Sequence, residues 1–262
     1  MNSPGVSQLL RTMTLGWKLH FKQESRNPFF LYIVVGTPLI YATMAYFLFQ
    51  GGEQPATLVA AAVGSAMMGI WSLTTTAAAA ALQRQRRLGI LELLVASPTP
   101  FWATFLPITL AISSIGIYSL ATGLLYVRFL FGVPVSVDDW PAFIVAVPPM
   151  ILSIGLLGFL MGSAFVRFRA AWMVGNLFEF PVWTICGFLI PLALLPSWVE
   201  PVALVLAPTW GMSALRNAAL GTSAWSDIGM CVLLSIVYAV LGGVLLRAFL
   251  RLARERATLG LT

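Results

Sequence analysis

The sequence predicts an all-α polytopic membrane protein, and three observations indicate this fold class. Only 9% of the 262 residues are charged, whereas a soluble domain carries roughly a quarter. The mean hydropathy is +0.90. Apolar runs of about 20 residues, long enough to cross a bilayer as a helix, recur along the chain. Together these features exclude an ordinary soluble globular domain.

Six apolar runs define the predicted transmembrane domain, which covers residues 29–250. Span 4 contains Gly158-x-x-x-Gly162, and span 2 is rich in alanine and threonine. Small residues let helix backbones approach closely in lipid, so we expect the spans to pack into one bundle. Spans 1 to 6 are residues 29–50, 55–82, 101–130, 142–165, 171–192 and 228–246.

The first 28 residues predict an amphipathic helix that lies in the membrane interface and connects to span 1. Apolar residues such as Met13, Trp17 and Phe21 recur at helical spacing, and the cations lie mostly on another face. This pattern is typical of a helix with its apolar face in lipid and its cations at the headgroups. A helix packed on a partner protein is the alternative.

The distribution of lysine and arginine predicts the orientation of the chain. With the N-terminus in the cytosol, only Arg128 and Arg216 of the 15 basic residues fall on the external side. Basic residues concentrate on the cytosolic side of membrane proteins. We therefore expect cytosolic termini, a basic cytosolic tail at residues 251–262 and a cytosolic segment at Gln83–Pro100. The cations follow the span ends and form no basic stripe with aromatics, so we expect no nucleic-acid partner.

The external segment between spans 5 and 6 is too apolar for an ordinary exposed loop. Pro196, Pro201 and Pro208 interrupt it. We expect one or two short re-entrant or interfacial helices here, because non-helical backbone at membrane depth must be shielded by protein or water.

The residues predict no enzyme active site and no bound cofactor. The chain lacks a G-x-x-x-x-G-K-[ST] phosphate loop, so we expect it not to hydrolyse ATP on its own. His20 is the only histidine, which argues against a metal site or a histidine-dependent nucleophile. Cys186 and Cys231 lie in predicted spans, and we interpret them as small buried residues without a disulfide.

Glu179 is the only acidic residue inside a predicted span. A charged side chain at bilayer depth costs about 2.5–3.5 kcal/mol on insertion scales, so it should face a partner, an aqueous cavity or a substrate. Asn176 lies one turn earlier on the same helix face. A packing role and a role in substrate binding or gating both remain open. A candidate substrate pathway, whose members could each be ordinary packing residues, comprises Tyr41, Met67, Trp71, Asn176, Phe178, Glu179 and Trp183.

The cytosolic segment carries a family resemblance. Residues 87–98, RLGILELLVASP, resemble the G-T-L-E-x-L-L-x-S-P signature of ABC-2 type transporter permeases, with Ile90 where threonine is usual. The region from span 5 onward is similar to the same family in Asn176, Pro181, Gly187, Pro191, Leu195-Pro196, Pro208 and Arg216. The resemblance extends over nearly the whole chain.

The resemblance implies that two permeases pair and that each docks a separate ATPase subunit on the cytosolic side. ATP and magnesium would bind that ATPase dimer and not this chain. The family places spans 1 and 5 at the seam between the permeases, which would bring Glu179 near the central pathway. The implied coupling helix, Gly89–Val95, and its approach give the ATPase-coupling residues Arg87, Leu88, Gly89, Leu91, Glu92, Leu93, Leu94 and Val95.

The leading functional hypothesis is the membrane subunit of a bacterial ABC exporter in a branch similar to drug and antibiotic exporters. It would sit in the inner membrane, among lipids, and move hydrophobic drug-like or lipid-like compounds. A permease for polysaccharides or lipid-linked glycans is the nearest alternative. A proton-coupled secondary transporter that uses Glu179 and a non-transporting scaffold are alternatives of other classes. Pairing with itself or with a homologous permease stays open.

Overall fold

A computed structural model describes residues 5–49, 55–87, 89, 100–132, 134, 137–165, 177–190 and 192–255. Every regular element within these residues is helical. The elements are α1 (Val6–Glu24), α2 (Pro28–Phe49), α3 (Pro55–Arg87), α4 (Trp102–Leu130), α5 (Trp140–Phe165), α6 (Glu179–Ile185), a 3₁₀ turn (Leu192–Leu194), α7 (Glu200–Leu204), α8 (Ala207–Ala219) and α9 (Trp225–Glu255). The predicted all-α polytopic fold is confirmed.

Four of the helices are long and apolar enough to cross a membrane. They are Pro28–Phe47, Trp102–Leu130, Trp140–Ala164 and Trp225–Ala248, which correspond to predicted spans 1, 3, 4 and 6. The region of predicted span 2 forms α3 (Pro55–Arg87), and the residues of this helix whose side chains the structure describes form the apolar stretch Val59–Thr75. Six spans and their boundaries stay a prediction.

In the described part of predicted span 5, helix α6 covers Glu179–Ile185, and Leu177 is helical as well. After α6 the chain turns at Gly187, whose φ of 70° lies in the left-handed region that favours glycine. The 3₁₀ turn, α7 and α8 then form the segment between predicted spans 5 and 6, the predicted external segment for which short helices are expected. Most of the predicted coupling helix lies outside the described residues.

The bundle is held together by close contacts of small residues. A Cβ at Gly158 in α5 would lie 2.9 Å from Cγ2 of Thr74 in α3. A Cβ at Gly162 would lie 2.8 Å from Cζ of Phe105 in α4. The two glycines therefore seat α5 against both α3 and α4, as small residues do in membrane helix packing. Behind this contact, α9 packs on α5.

Helix α1 packs along α4 through one face. The indole nitrogen of Trp17 donates a hydrogen bond to Ser114 Oγ over 3.2 Å, and a Cβ at Gly16 would approach Pro107 Cβ to 3.3 Å. The opposite face carries Arg11 and Lys18, which are exposed. Helix α1 therefore contacts α4 through Gly16 and Trp17 and leaves its cations exposed, together with apolar side chains such as Leu15 and Leu19.

Candidate functional site

Glu179 begins helix α6, directly after Phe178. A carboxylate in the first turn of a helix interacts favourably with the helix dipole. The Oε1 atom of Glu179 accepts a hydrogen bond from the Ser72 hydroxyl of α3. The Glu179 side chain is partly exposed, so it is neither enclosed in the core nor open on all sides.

Ser72 is the hydrogen-bond partner that sequence reasoning missed. Its hydroxyl also approaches the carbonyl oxygen of Met68, one turn earlier in α3, at 3.0 Å. A hydroxyl carries one hydrogen, so Ser72 donates to one of the two oxygens at a time. Serine is common in helices, and no local pattern distinguishes Ser72, because the partner lies on a distant segment.

Tyr41 of α2 lies beside the contact between Ser72 of α3 and Glu179 of α6. Its side chain lies close enough to interact with both Ser72 and Glu179. Its ring packs edge-to-face on Trp183 of α6, with centroids 5.1 Å apart and planes at 65°. The structure therefore brings together Tyr41, Glu179 and Trp183, three of the residues predicted to form a substrate pathway.

The remaining pathway candidates divide into surface and core residues. Phe178 is 41% exposed, whereas Met67 and Trp71 are fully buried. Met67 and Trp71 belong to the same apolar cluster as Trp183. They therefore pack beneath the site, and within one chain their side chains cannot contact a substrate. Asn176 lies outside the described residues.

The turn after α6 is fixed by a residue from the external segment. Arg216 of α8 donates a hydrogen bond through Nη2 to the carbonyl oxygen of Gly187 over 2.9 Å. Burial lowers the pKa of the Arg216 guanidinium, because a low-dielectric environment disfavours its charged form. A Cβ at Gly64 of α3 would lie only 1.6 Å from the carbonyl oxygen of Phe188. The backbone after α6 is therefore held from both sides.

A buried acid joins the external segment to the last helix. Oδ2 of Asp227, in α9, accepts hydrogen bonds from Ser213 Oγ at 2.8 Å and from Asn217 Nδ2 at 2.7 Å. Further along α9, the Tyr238 hydroxyl donates to the carbonyl oxygen of Val205 at 2.5 Å. These contacts attach α8, and with it Arg216, to a long membrane helix.

Helix α3 continues past Ser72 to Arg87. Gly89 follows as an exposed residue in a turn, with a φ of 66°. Arg87 ends the helix. The other predicted coupling residues, Leu88, Leu91, Glu92, Leu93, Leu94 and Val95, lie outside the described residues.

No curated protein matches the chain. The model of the ABC-2 type transporter family matches residues 12–220, which extend from within α1 to just beyond the end of α8 and include the Glu179 site. Because this match covers most of the 262 residues, the chain belongs to the ABC-2 type transporter family and is a membrane-spanning transport component.

Proposed function

We propose that the chain is the permease subunit of an ATP-driven exporter. It moves a hydrophobic drug-like or lipid-like substrate out of the cytoplasm or the inner leaflet. Membership of the ABC-2 family supports the permease role. Members of this family normally work with an ATPase subunit, and this chain carries no phosphate loop of its own.

The observation that carries the proposal is the course of α3. One uninterrupted helix runs from Ser72, which binds Glu179, to Arg87, where the predicted coupling segment begins. The two residues are separated by about 22 Å of helix, with no glycine or proline between them. A movement at the cytosolic end would therefore reach the Glu179 site through a rigid element.

The ATPase partner docks on the cytosolic side in this proposal. Gly89–Val95 enters a groove of the ATPase subunit, with Leu91 among the apolar contacts and Glu92 paired with a basic residue. ATP and magnesium are bound and used by that subunit. The exposed turn at Gly89, which follows the end of α3 at Arg87, supports such a docking position.

A second permease completes the pathway. Helix α2 exposes large apolar side chains, among them Tyr32, Met44 and Phe47, and α6 exposes Phe180 beside the Glu179 site. Such surfaces face lipid or another membrane helix. We place α2 and α6 at the seam between two permeases, so that the two Glu179 sites line one central route.

The concentration of cations on the predicted cytosolic pieces supports the proposed location and orientation. In this arrangement the protein spans the bacterial inner membrane with both termini in the cytosol. Arg11 and Lys18 on the exposed face of α1 are then positioned to meet lipid headgroups. Labelling single cysteines at residues 5 and 222 with a membrane-impermeant reagent tests this, because only residue 222 should react in intact cells.

Transport in proteoliposomes tests the proposed function. The chain is reconstituted with the ATPase that co-purifies with it, and export of a neutral lipophilic fluorescent probe is followed. We expect transport with ATP and magnesium and none with a non-hydrolysable ATP analogue. Transport by the chain alone, driven by a pH gradient without ATP, would instead establish the proton-coupled alternative.

A further inference from the structure

Within the described residues, the segments that contact the Glu179 carboxylate supply a hydrogen-bond donor but no opposite charge. Helix α2 contains no charged residue, and Glu179 is the only charged residue of α6. The first basic residue of α3 after Ser72 is Arg84, about 18 Å further along the helix. A carboxylate beside apolar membrane helices gains most from a cation. The described segments that contact it do not supply one.

Three aromatic side chains pack on one another in this region, and one of them, Tyr41, lies close enough to interact with Glu179. The ring of Trp183 packs edge-to-face on Phe180, with centroids 5.0 Å apart, and on Tyr41, with centroids 5.1 Å apart. Aromatic faces attract organic cations through the ring quadrupole, most strongly where water is excluded. A carboxylate bordered by aromatic rings is therefore suited to a protonated amine or an onium group with apolar substituents.

The site is open to a ligand that arrives from an apolar phase. Phe180 is 70% exposed and Leu177 is 71% exposed, and Glu179 lies between them with its side chain partly exposed. An apolar molecule can cover these side chains while its charged group reaches the carboxylate. An anion of the same size would be repelled by Glu179 and could not use the ring faces.

We infer that Glu179, with Tyr41, Phe180 and Trp183, binds the cationic group of a lipophilic substrate. Ser72 orients the carboxylate by its hydrogen bond to Oε1. This inference rests on the proposed export function and adds to it that lipophilic cations bind preferentially among the hydrophobic substrates. It disfavours anionic cargo such as phosphate-linked glycans. Binding can be measured separately from transport.

Equilibrium binding of two probes of similar size and opposite charge tests the inference. The purified full chain, with its co-purifying subunits, is placed in phosphatidylcholine nanodiscs and titrated with tetraphenylphosphonium or tetraphenylborate, and empty nanodiscs give the background. We expect saturable binding of tetraphenylphosphonium. Its Kd should rise about tenfold or more in Glu179→Gln, which retains the side-chain shape and an acceptor for Ser72.

Two further variants keep the result interpretable. Glu179→Asp retains the charge and should still prefer tetraphenylphosphonium to tetraphenylborate. Glu200→Gln removes an exposed acid of α7 and should bind like the unsubstituted chain. Unchanged tetraphenylphosphonium affinity in a folded Glu179→Gln variant, or equal affinity of the unsubstituted chain for both probes, overturns the inference.

The outcomes separate this inference from the proposed function. If ATP drives transport of the neutral probe but tetraphenylphosphonium binding does not depend on Glu179, the export function stands and the cation site is wrong. If binding depends on Glu179 but ATP drives no transport, the cation site stands and the export function is wrong.

Discussion

The hydroxyl of Ser72 donates a hydrogen bond to the Oε1 atom of Glu179, which joins two residues 107 positions apart in sequence. This contact attaches the short helix α6 to the long helix α3 beside Tyr41. Hydrogen bonds to a charged group are the stronger ones in proteins, particularly away from water. The position of the carboxylate therefore depends on α3.

Replacing Ser72 tests how much this hydrogen bond contributes to the free energy of unfolding. Ser72→Ala removes the donor and leaves a carboxylate oxygen without it, so the free energy of unfolding should fall by about 1–3 kcal/mol. Thermal unfolding of the purified chain measures the change. Thr184→Ala is a matched control, because the Thr184 hydroxyl bonds only the carbonyl oxygen of Phe180 within its own helix. Equal thermal midpoints for the two variants would contradict the prediction.

Substitutions in the predicted coupling segment should separate ATP hydrolysis from transport. Leu91→Gly or Leu94→Gly removes an apolar contact worth about 1.5–3 kcal/mol, which lowers affinity for the ATPase subunit about tenfold or more. Glu92→Ala should uncouple hydrolysis from transport by removing one charge of a pair. ATPase activity and probe export are measured in the same proteoliposomes, and Glu200→Ala, on the predicted external side, should match the unsubstituted chain. Unchanged export per ATP in all three coupling variants would remove the coupling role.

Asp227 should contribute to stability rather than to substrate binding. Asp227→Ala leaves Ser213 and Asn217 without their shared acceptor, and buried polar groups without partners cost about 1–3 kcal/mol. We expect a lower thermal midpoint and unchanged tetraphenylphosphonium affinity of the remaining folded protein. A weaker affinity without a change in the midpoint would place Asp227 in the binding site instead.

Gly64 should not tolerate a methyl group. Alanine is favoured over glycine in helices by about 1 kcal/mol, but a Cβ at Gly64 would lie 1.6 Å from the Phe188 carbonyl oxygen. Because backbone must move, Gly64→Ala should destabilise the chain by about 1–3 kcal/mol.

Gly229→Ala is the control for this substitution. No atom lies within 4 Å of a Cβ at Gly229 in α9, so this variant should be neutral or slightly more stable in thermal unfolding. A more stable Gly64→Ala variant would show that α3 and the Phe188 segment are not in this close contact.

The fold class was predictable because long apolar runs and the scarcity of charge reflect the bilayer directly. The Gly158-x-x-x-Gly162 pattern also predicted close packing, and α5 does approach Thr74 and Phe105 at these glycines. The sequence did not indicate which helices α5 would contact, because any apolar helix can pack against a face of small residues.

The candidate site was only partly predictable. Glu179 is conspicuous as a lone acid in an apolar region, and the aromatic residues Tyr41 and Trp183 do lie beside it. The contact of Ser72 with Glu179 could not be predicted, because it depends on the rotation of α3 against α6. The same rotation buries Met67 and Trp71 completely, and the sequence alone does not determine it. The position of Asn176 on the same helix face as Glu179 stays a prediction.

Helix α3 connects Ser72, which contacts Glu179, to Arg87 as one continuous helix. The stretch from Ser72 to Arg87 is about 22 Å long, so a tilt of about 5° displaces one end by about 2 Å relative to the other. That displacement is enough to lengthen the donor–acceptor distance beyond the range of a hydrogen bond. A small angular change imposed by an ATPase subunit would thus release the Glu179 carboxylate from Ser72 and alter its hold on a bound cation.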